Sequence, residues 1–334
     1  MRPFGTLTKR GQVGRLRALA SASLGAWGLS GAELRLLGHG ENTTFEIRVP
    51  EGRFMLRVAR PGYRTGAELA SEVVFLEHLA ARWSGGLAPR AVRTDSGEAF
   101  VWAEAPGVPE ARRCMLFGWL DGRMCWKSLD EAKMRALGGV CASLHDVQSA
   151  FSPGPDFSRP RGTAAANYPV GWWREVDDFD APLLEAIEAA HALAHPIYED
   201  LMATDGAHGL IQMDLHPWNV LFGPGDAVSV IDFDDAMWAP LVMDLVVVEE
   251  STAQHPDAGA LFDAFVEGYR GTRALPEEWL AVVPALLAQF YVNGLAWLRS
   301  RLEVPRLRAR YAEYLPEARG DIAAALERAG HPMG

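Results

Sequence analysis

The pattern of apolar and polar positions from Leu34 to Glu104 is mostly that of β-strands, which predicts a β-rich first region. Leu34–Leu37 is a short apolar strand ahead of the turn Gly38-His39-Gly40-Glu41-Asn42. Phe45, Ile47 and Val49 share one face of a second strand over Thr43–Val49. Pro50-Glu51-Gly52 supplies a hairpin turn, and Arg53–Ala59 is the third strand. Helical spacing then interrupts the alternation: Leu69, Val73, Leu76 and Leu79 predict a helix over about Gly66–Trp83. Two more strands flank Asp95-Ser96-Gly97, and another spans Cys114–Leu120 before Asp121-Gly122.

After Ser128 the pattern becomes helical. Apolar stripes predict helices over Leu129–Ser149 and Ala181–Thr204, separated by a Pro-, Gly- and Ser-rich loop over Phe151–Pro169. Two β-like runs follow, Leu210–Met213 and Val228–Phe233, joined through Gly223-Pro224-Gly225. Met243–Arg328 reads as helix with a break near Leu275-Pro276, and an amphipathic helix over Lys9–Leu29 precedes everything. A β-rich region followed by an α-rich one predicts an α+β fold. The expected lobes are a small antiparallel one over residues 1–120 and a helical one over 121–334.

Composition narrows the function classes. The 334 residues are 49% hydrophobic and 22% charged, enough apolar material for a sizeable core. Lys and Arg total 32 against 43 for Asp and Glu, a net charge of -11 that disfavours nucleic acid and anionic membranes as partners. Cys114, Cys125 and Cys141 lack CxxC spacing and suit small core residues in a reducing compartment. The basic N-terminal segment is broken by arginines and polar residues, so an amphipathic helix is expected rather than a signal peptide. No uninterrupted run of about 18 apolar residues occurs, and a cytoplasmic protein without a membrane span is expected.

The densest chemistry lies in Ile211-Gln212-Met213-Asp214-Leu215-His216-Pro217-Trp218-Asn219-Val220-Leu221-Phe222, followed by Ile231-Asp232-Phe233-Asp234-Asp235. Phosphoryl transfer from a nucleotide needs one carboxylate to orient the acceptor hydroxyl and take its proton. It also needs a second carboxylate and a neutral oxygen to hold a metal against the phosphates. Asp214, Asp232 and Asn219 supply those three groups in order, with four residues between Asp214 and Asn219.

These runs resemble the catalytic and metal loops of the aminoglycoside phosphotransferase-like kinases, a superfamily that includes choline kinase, homoserine kinase and stress-response protein kinases. The resemblance implies a bilobal protein-kinase-like fold with ATP and Mg2+ as cofactors. It implies Asp214 as catalytic base, with Asn219 and Asp232 on the metal. It also implies that Gly38, Gly40 and Asn42 belong to a phosphate-covering turn, that Arg57 replaces the usual lysine on the phosphates, and that Glu72 holds Arg57. Cys114–Gly122, with Phe117 and Trp119, matches the segment that meets adenine, and Asp244 matches an aspartate that braces the catalytic loop. The chain departs from the family where His-Gly usually precedes the catalytic Asp: Gln212-Met213 stands there, so the loop's internal hydrogen bonding must differ.

The expected partner is a small-molecule hydroxyl acceptor: an amino sugar, amino alcohol, homoserine-like compound or antibiotic. Candidate wall residues are Trp172, Trp173, Asp177, Asp178, Asp235, Glu249, Glu250, Tyr291, Asn293 and Trp297. A stress-response-type Ser/Thr protein kinase and a nucleotide-binding pseudokinase are the alternatives, the former disfavoured by the short span between Asp232 and Asp244.

Overall fold

The computed structural model describes residues 2–166, 168–224 and 227–333. The chain divides into two compact units: Met1–Arg123 with Phe151–Arg159 and Leu221–Asp234, and Met124–Ala150 with Pro160–Val220 and Asp235–Gly334.

In the first unit, β1 (Glu33–His39), β2 (Thr43–Val49), β3 (Gly52–Val58), β4 (Ala91–Val92), β5 (Val101–Ala103) and β6 (Arg112–Gly118) form one antiparallel sheet. The order is β1-β2-β3-β6-β4, with β5 also on β6. Alternation sorts its side chains: Phe45, Ile47, Leu56, Val58, Cys114 and Leu116 enter a core with Val13, Leu16, Leu19 and Ala20 of α1 (Lys9–Ser23). That helix stops six residues short of the expected Leu29. The chain tightens into a 3₁₀ turn over Leu24–Trp27 and closes at Gly28, whose φ of 65° is left-handed. Arg57, Met115 and Phe117 take the opposite parity. Beside them runs α2 (Gly66–Arg82), started by a capping box in which Thr65 and Glu68 satisfy each other's backbone N–H groups. This start sets the helix phase, so Glu72 joins the buried stripe of Leu69, Val73, Leu76 and Leu79.

The second unit is built on α3 (Glu131–Ser149), α4 (Ala181–Ala203), α5 (Val242–Thr252), α6 (Ala258–Arg270), α7 (Glu277–Arg299) and α8 (Pro305–Arg328). Helix α3 crosses α6 at two glycines: a Cβ on Gly138 would lie 1.9 Å from the Phe265 carbonyl, and one on Gly268 1.9 Å from that of Arg135. The region beyond Met243 breaks not only near Pro276 but also at residues 253–257 and 300–304.

The two β-like runs of this region have partners other than each other. β7 (His208–Ile211) pairs with β10 (Met237–Pro240), whereas β8 (Val220–Phe222) pairs with β9 (Val228–Val230). Neither β8 nor β10 stands out by alternation, because three- and four-residue strands are too short to show a period. Of the expected Gly223-Pro224-Gly225 turn, Gly225 lies outside the described residues. By length and composition alone, α7 is apolar enough to cross a membrane, contrary to the expectation from uninterrupted runs. Most of that stretch is buried inside the protein, as in a core helix.

Candidate active site

Arg57 of β3 is the hub of the first unit. Its guanidinium forks onto Glu72, with Nη1 donating to Oε1 at 3.0 Å and Nη2 to Oε2, and both side chains are almost wholly buried. The same group lies 5.0 Å from the Phe117 ring centroid and donates to Met115 Sδ at 3.1 Å. Nη1 is 3.7 Å from Oδ1 of Asp232, whose side chain is 48% exposed. Burial works against the charge on Arg57, but Glu72, Asp234 and Asp232 hold its pKa above the ordinary value, so it stays cationic.

Asp234 is buried, and Oδ2 accepts from Asn42 Nδ2 at 2.9 Å. Burial raises its pKa, yet Arg57, the Asn42 bond, Arg64 and Arg159 outweigh burial and bring it below the usual carboxylate range. Arg159 also donates through Nη2 to the carbonyls of Phe233 and Asp234, at 3.0 and 2.6 Å. These contacts fix the backbone around Asp232, whose φ of 60° is left-handed and tolerated by aspartate.

The turn between β1 and β2 is tied at each step. His39 bonds Thr43 at 2.7 Å and Gln12 of α1 at 3.3 Å, and Gly40 N donates to the Asn42 carbonyl at 3.0 Å. Glu41 pairs with Arg60, whose backbone N–H donates to Asn42 Oδ1 at 3.0 Å. Gly38 sits at a register shift in the ladder, where a Cβ would come 3.2 Å from Thr44 Oγ1, while Gly40 faces open space. The ring of Trp119 is covered by the Arg53 guanidinium at 4.7 Å.

The second unit holds the other loop. Asn219 Nδ2 donates to Asp214 Oδ2 at 2.7 Å and to its carbonyl at 3.0 Å. His216 Nε2 lies 3.3 Å from Asp214 Oδ1, and the Asp214 side chain remains 36% exposed. Gln212 is completely buried, and its Oε1 accepts the Asp214 N–H at 2.7 Å. Met213 has φ 63°, left-handed backbone where the family's glycine would be unstrained, and its N–H donates to Asp244 Oδ1 at 2.8 Å. Gln212 and Met213 thus tie the loop internally, through the Asp214 N–H and to Asp244.

Asp244 bears no solvent exposure, and Oδ2 is 3.1 Å from His145 Nε2, whose Nδ1 meets the Tyr269 hydroxyl at 2.8 Å. Cys141 Sγ is 3.7 Å from the same His145 Nε2. These groups could be mistaken for metal ligands. Their bonds to one another and to the Met213 N–H make them a brace, anchored where α3 and α6 approach at Gly138 and Gly268.

Several expected acceptor-wall residues are engaged elsewhere. Trp173 is fully buried and donates to Glu188 at 2.9 Å, Asp178 takes Arg299 and Tyr311, and Asn293 donates to the Ala164 carbonyl. Trp297 lies beneath Arg301, and Glu249 pairs with Arg328. Glu250 differs: burial first, then the charges of Asp321 and Asp214, push its carboxyl above the ordinary value against the pull of His216 and Arg310. It is thereby within electrostatic reach of Asp214 and His216.

A profile of the phosphotransferase enzyme family matches residues 33–281. The chain belongs to that family. It is an ATP-dependent kinase that moves a phosphoryl group to a hydroxyl of a small molecule. Among relatives of this phosphotransferase, a Deinococcus radiodurans protein is 33% identical over 81% of this chain and 78% of its own length. A homoserine kinase of Afipia carboxidovorans is 28% identical over 74% of this chain and 72% of its own. Among solved structures, a microcompartment-associated aminopropanol kinase superposes with TM-score 0.82 at 24% identity, covering 94% of this chain and 99% of the other. That likeness confirms the bilobal kinase-like α+β fold. Within the phosphotransferase, Arg159 and Asp234 make contacts around Asp232 that sequence reasoning passed over, and Gln212, noted only as a departure from the family, accepts the Asp214 N–H. Asp234 and Gln212 were visible beside the recognised motifs, whereas nothing in the loop around Arg159 signals its role.

Proposed function

We propose that this phosphotransferase is a magnesium-dependent kinase of a small amino alcohol or hydroxy amino acid, moving the γ-phosphoryl group of ATP onto its hydroxyl. The observation that carries the reading is Asp214: a partly exposed carboxylate oriented by Asn219, Gln212 and His216. As the acceptor oxygen bonds to the γ-phosphorus, Asp214 Oδ1 or Oδ2 takes the hydroxyl proton, the β–γ bridging P–O bond breaks, and ADP leaves. Arg57, kept cationic and aimed by Glu72, supports the ATP phosphates.

Asn219 and Asp232 would hold the metal. The donor set fits, because Asn219 spends its amide N–H groups on Asp214 and keeps its carbonyl oxygen for a hard cation. Mg2+ when bound supplies neutralisation of phosphate charge. The homoserine kinases among the sequence relatives and the acidic Glu250 near Asp214 support an amine-bearing acceptor.

The test is magnesium-dependent ADP release against aminopropanol, homoserine, choline, spectinomycin and a generic protein, with Asp214→Ala as control. Turnover with an amino alcohol or hydroxy amino acid, lost in the variant, is the expected result. Turnover only with the protein substrate would refute the proposal.

A further inference from the structure

Among the described residues four tryptophans are substantially exposed: Trp102, Trp126, Trp218 and Trp297. Two carry an arginine over the ring, Arg113 over Trp102 at 4.3 Å and Arg301 over Trp297 at 4.7 Å. The other two lie on each other: Trp126 and Trp218 stack with centroids 4.9 Å apart and planes 19° from parallel. They remain 38% and 40% exposed. Trp218 meets His216 edge-on at 5.1 Å, and His216 Nε2 is 3.3 Å from Asp214 Oδ1. An aromatic ledge therefore starts two side chains from the catalytic carboxylate.

The ledge lies outside the core that holds the fold together. Trp126 occupies a three-residue turn, Trp126–Ser128, and Trp218 another, Pro217–Asn219. Paired exposed indoles beside a reaction centre offer an apolar face that a ligand can cover. The surroundings discriminate among ligands. Asp214 is adjacent, its Oδ1 3.3 Å from the Nε2 of the His216 ring that Trp218 meets edge-on. Negative potential and exposed π-faces together favour a cation over a neutral ring or an anion.

We propose that Trp126 and Trp218 determine acceptor specificity by receiving the ammonium group of the acceptor against their exposed faces. This rests on the kinase reading and adds to it the residues that select an amine. Neither tryptophan belongs to the acceptor wall expected from sequence.

The test measures binding apart from turnover, so failure of the kinase reading and failure of the ledge are separable. The full chain is titrated by calorimetry with choline and with its uncharged isostere 3,3-dimethylbutan-1-ol, in the presence of Mg2+ and AMP-PNP. Choline should bind saturably and about tenfold more tightly than the isostere. W126L/W218L should lose about tenfold in choline affinity, with AMP-PNP affinity changed less than about twofold. W126F/W218F, which keeps aromatic faces, should recover most of the loss and show that the leucine variant's defect is not misfolding. Three results would overturn the proposal: no saturable choline binding, equal affinity for the isostere, or a double leucine variant that loses nucleotide affinity while keeping choline. The last would place the ledge on the nucleotide.

Discussion

In the first unit the functional charges are buried and paired: Arg57 is locked to Glu72, and Asp234 is surrounded by Arg57, Arg64, Arg159 and Asn42. In the second unit Asp214 is partly exposed: its carboxylate meets the Asn219 amide at 2.7 Å and His216 Nε2 at 3.3 Å, and Gln212 accepts its backbone N–H. The difference fits the two tasks proposed for these residues. A cation that must meet several phosphate charges has to be fixed and kept charged before the nucleotide arrives. A buried guanidinium can be kept so only by carboxylates. A proton acceptor needs correct aim and an approach for the substrate, and an adjacent fixed cation would lower its basicity.

Five substitutions sharpen this contrast, beginning with the largest effect. Asp214→Asn should cut kcat by about 10³-fold with little change in melting temperature, because only orientation and proton acceptance are lost. A comparable fall in stability would mean that Asp214 is structural. Glu72→Gln, in the other unit, should act first on folding. It strands a buried guanidinium at a cost of about 3–5 kcal/mol, measurable by urea denaturation, and KM for ATP should rise in the fraction that folds. Gln212→Ala removes the acceptor for the Asp214 N–H and should cost about 1–2 kcal/mol. Because it disturbs the aim of Asp214, kcat should fall more than acceptor affinity, and steady-state kinetics would separate the two.

The last two effects are smaller and opposite in sign along the pH axis. Asp234 has a folded pKa below its unfolded value near 3.9. Its contribution is therefore complete above about pH 4 and is lost as pH falls through the folded value. Stability of the wild type relative to Asp234→Asn should shrink on acidification below pH 4, as followed by circular dichroism. Glu250 has a raised folded pKa, so the fold favours its protonated form, and stability is lost as pH rises from about 4.3 through the folded value. Glu250→Gln should raise the melting temperature by about two degrees at pH 7 and not at all below pH 4. A gain that persists in acid would show that charge is not its cause.

Much of this architecture was legible in order and period. The strand alternation of residues 43–58, the helical spacing of Leu69, Val73, Leu76 and Leu79 and the Asp-x4-Asn loop each carry a local signature, and each stands where that signature puts it. Boundaries slipped where competing local geometry intervened, as when the first helix tightened at Leu24 and ended at Gly28. The strand pairings, β7 with β10 and β8 with β9, were hidden because strands so short leave pairing to tertiary contacts. The acceptor wall was the least legible part. A tryptophan in sequence carries no mark of whether its ring is sunk in the core, as Trp173 is, or stacked in the open, as Trp126 and Trp218 are.

By itself the sequence marked the chemistry this protein can attempt: residue type and spacing pick out Asp214, Asn219 and Asp232 as the proposed reaction groups, and the family resemblance adds Arg57 and Glu72. Tertiary structure decided what supports them. Gln212 under Asp214, Arg159 at the Phe233 and Asp234 carbonyls and the Tyr269–His145–Asp244 brace are contacts between residues far apart in the chain or turned inward by the backbone. Burial makes such contacts necessary, because an inward-facing polar group must find its partner wherever the fold supplies one.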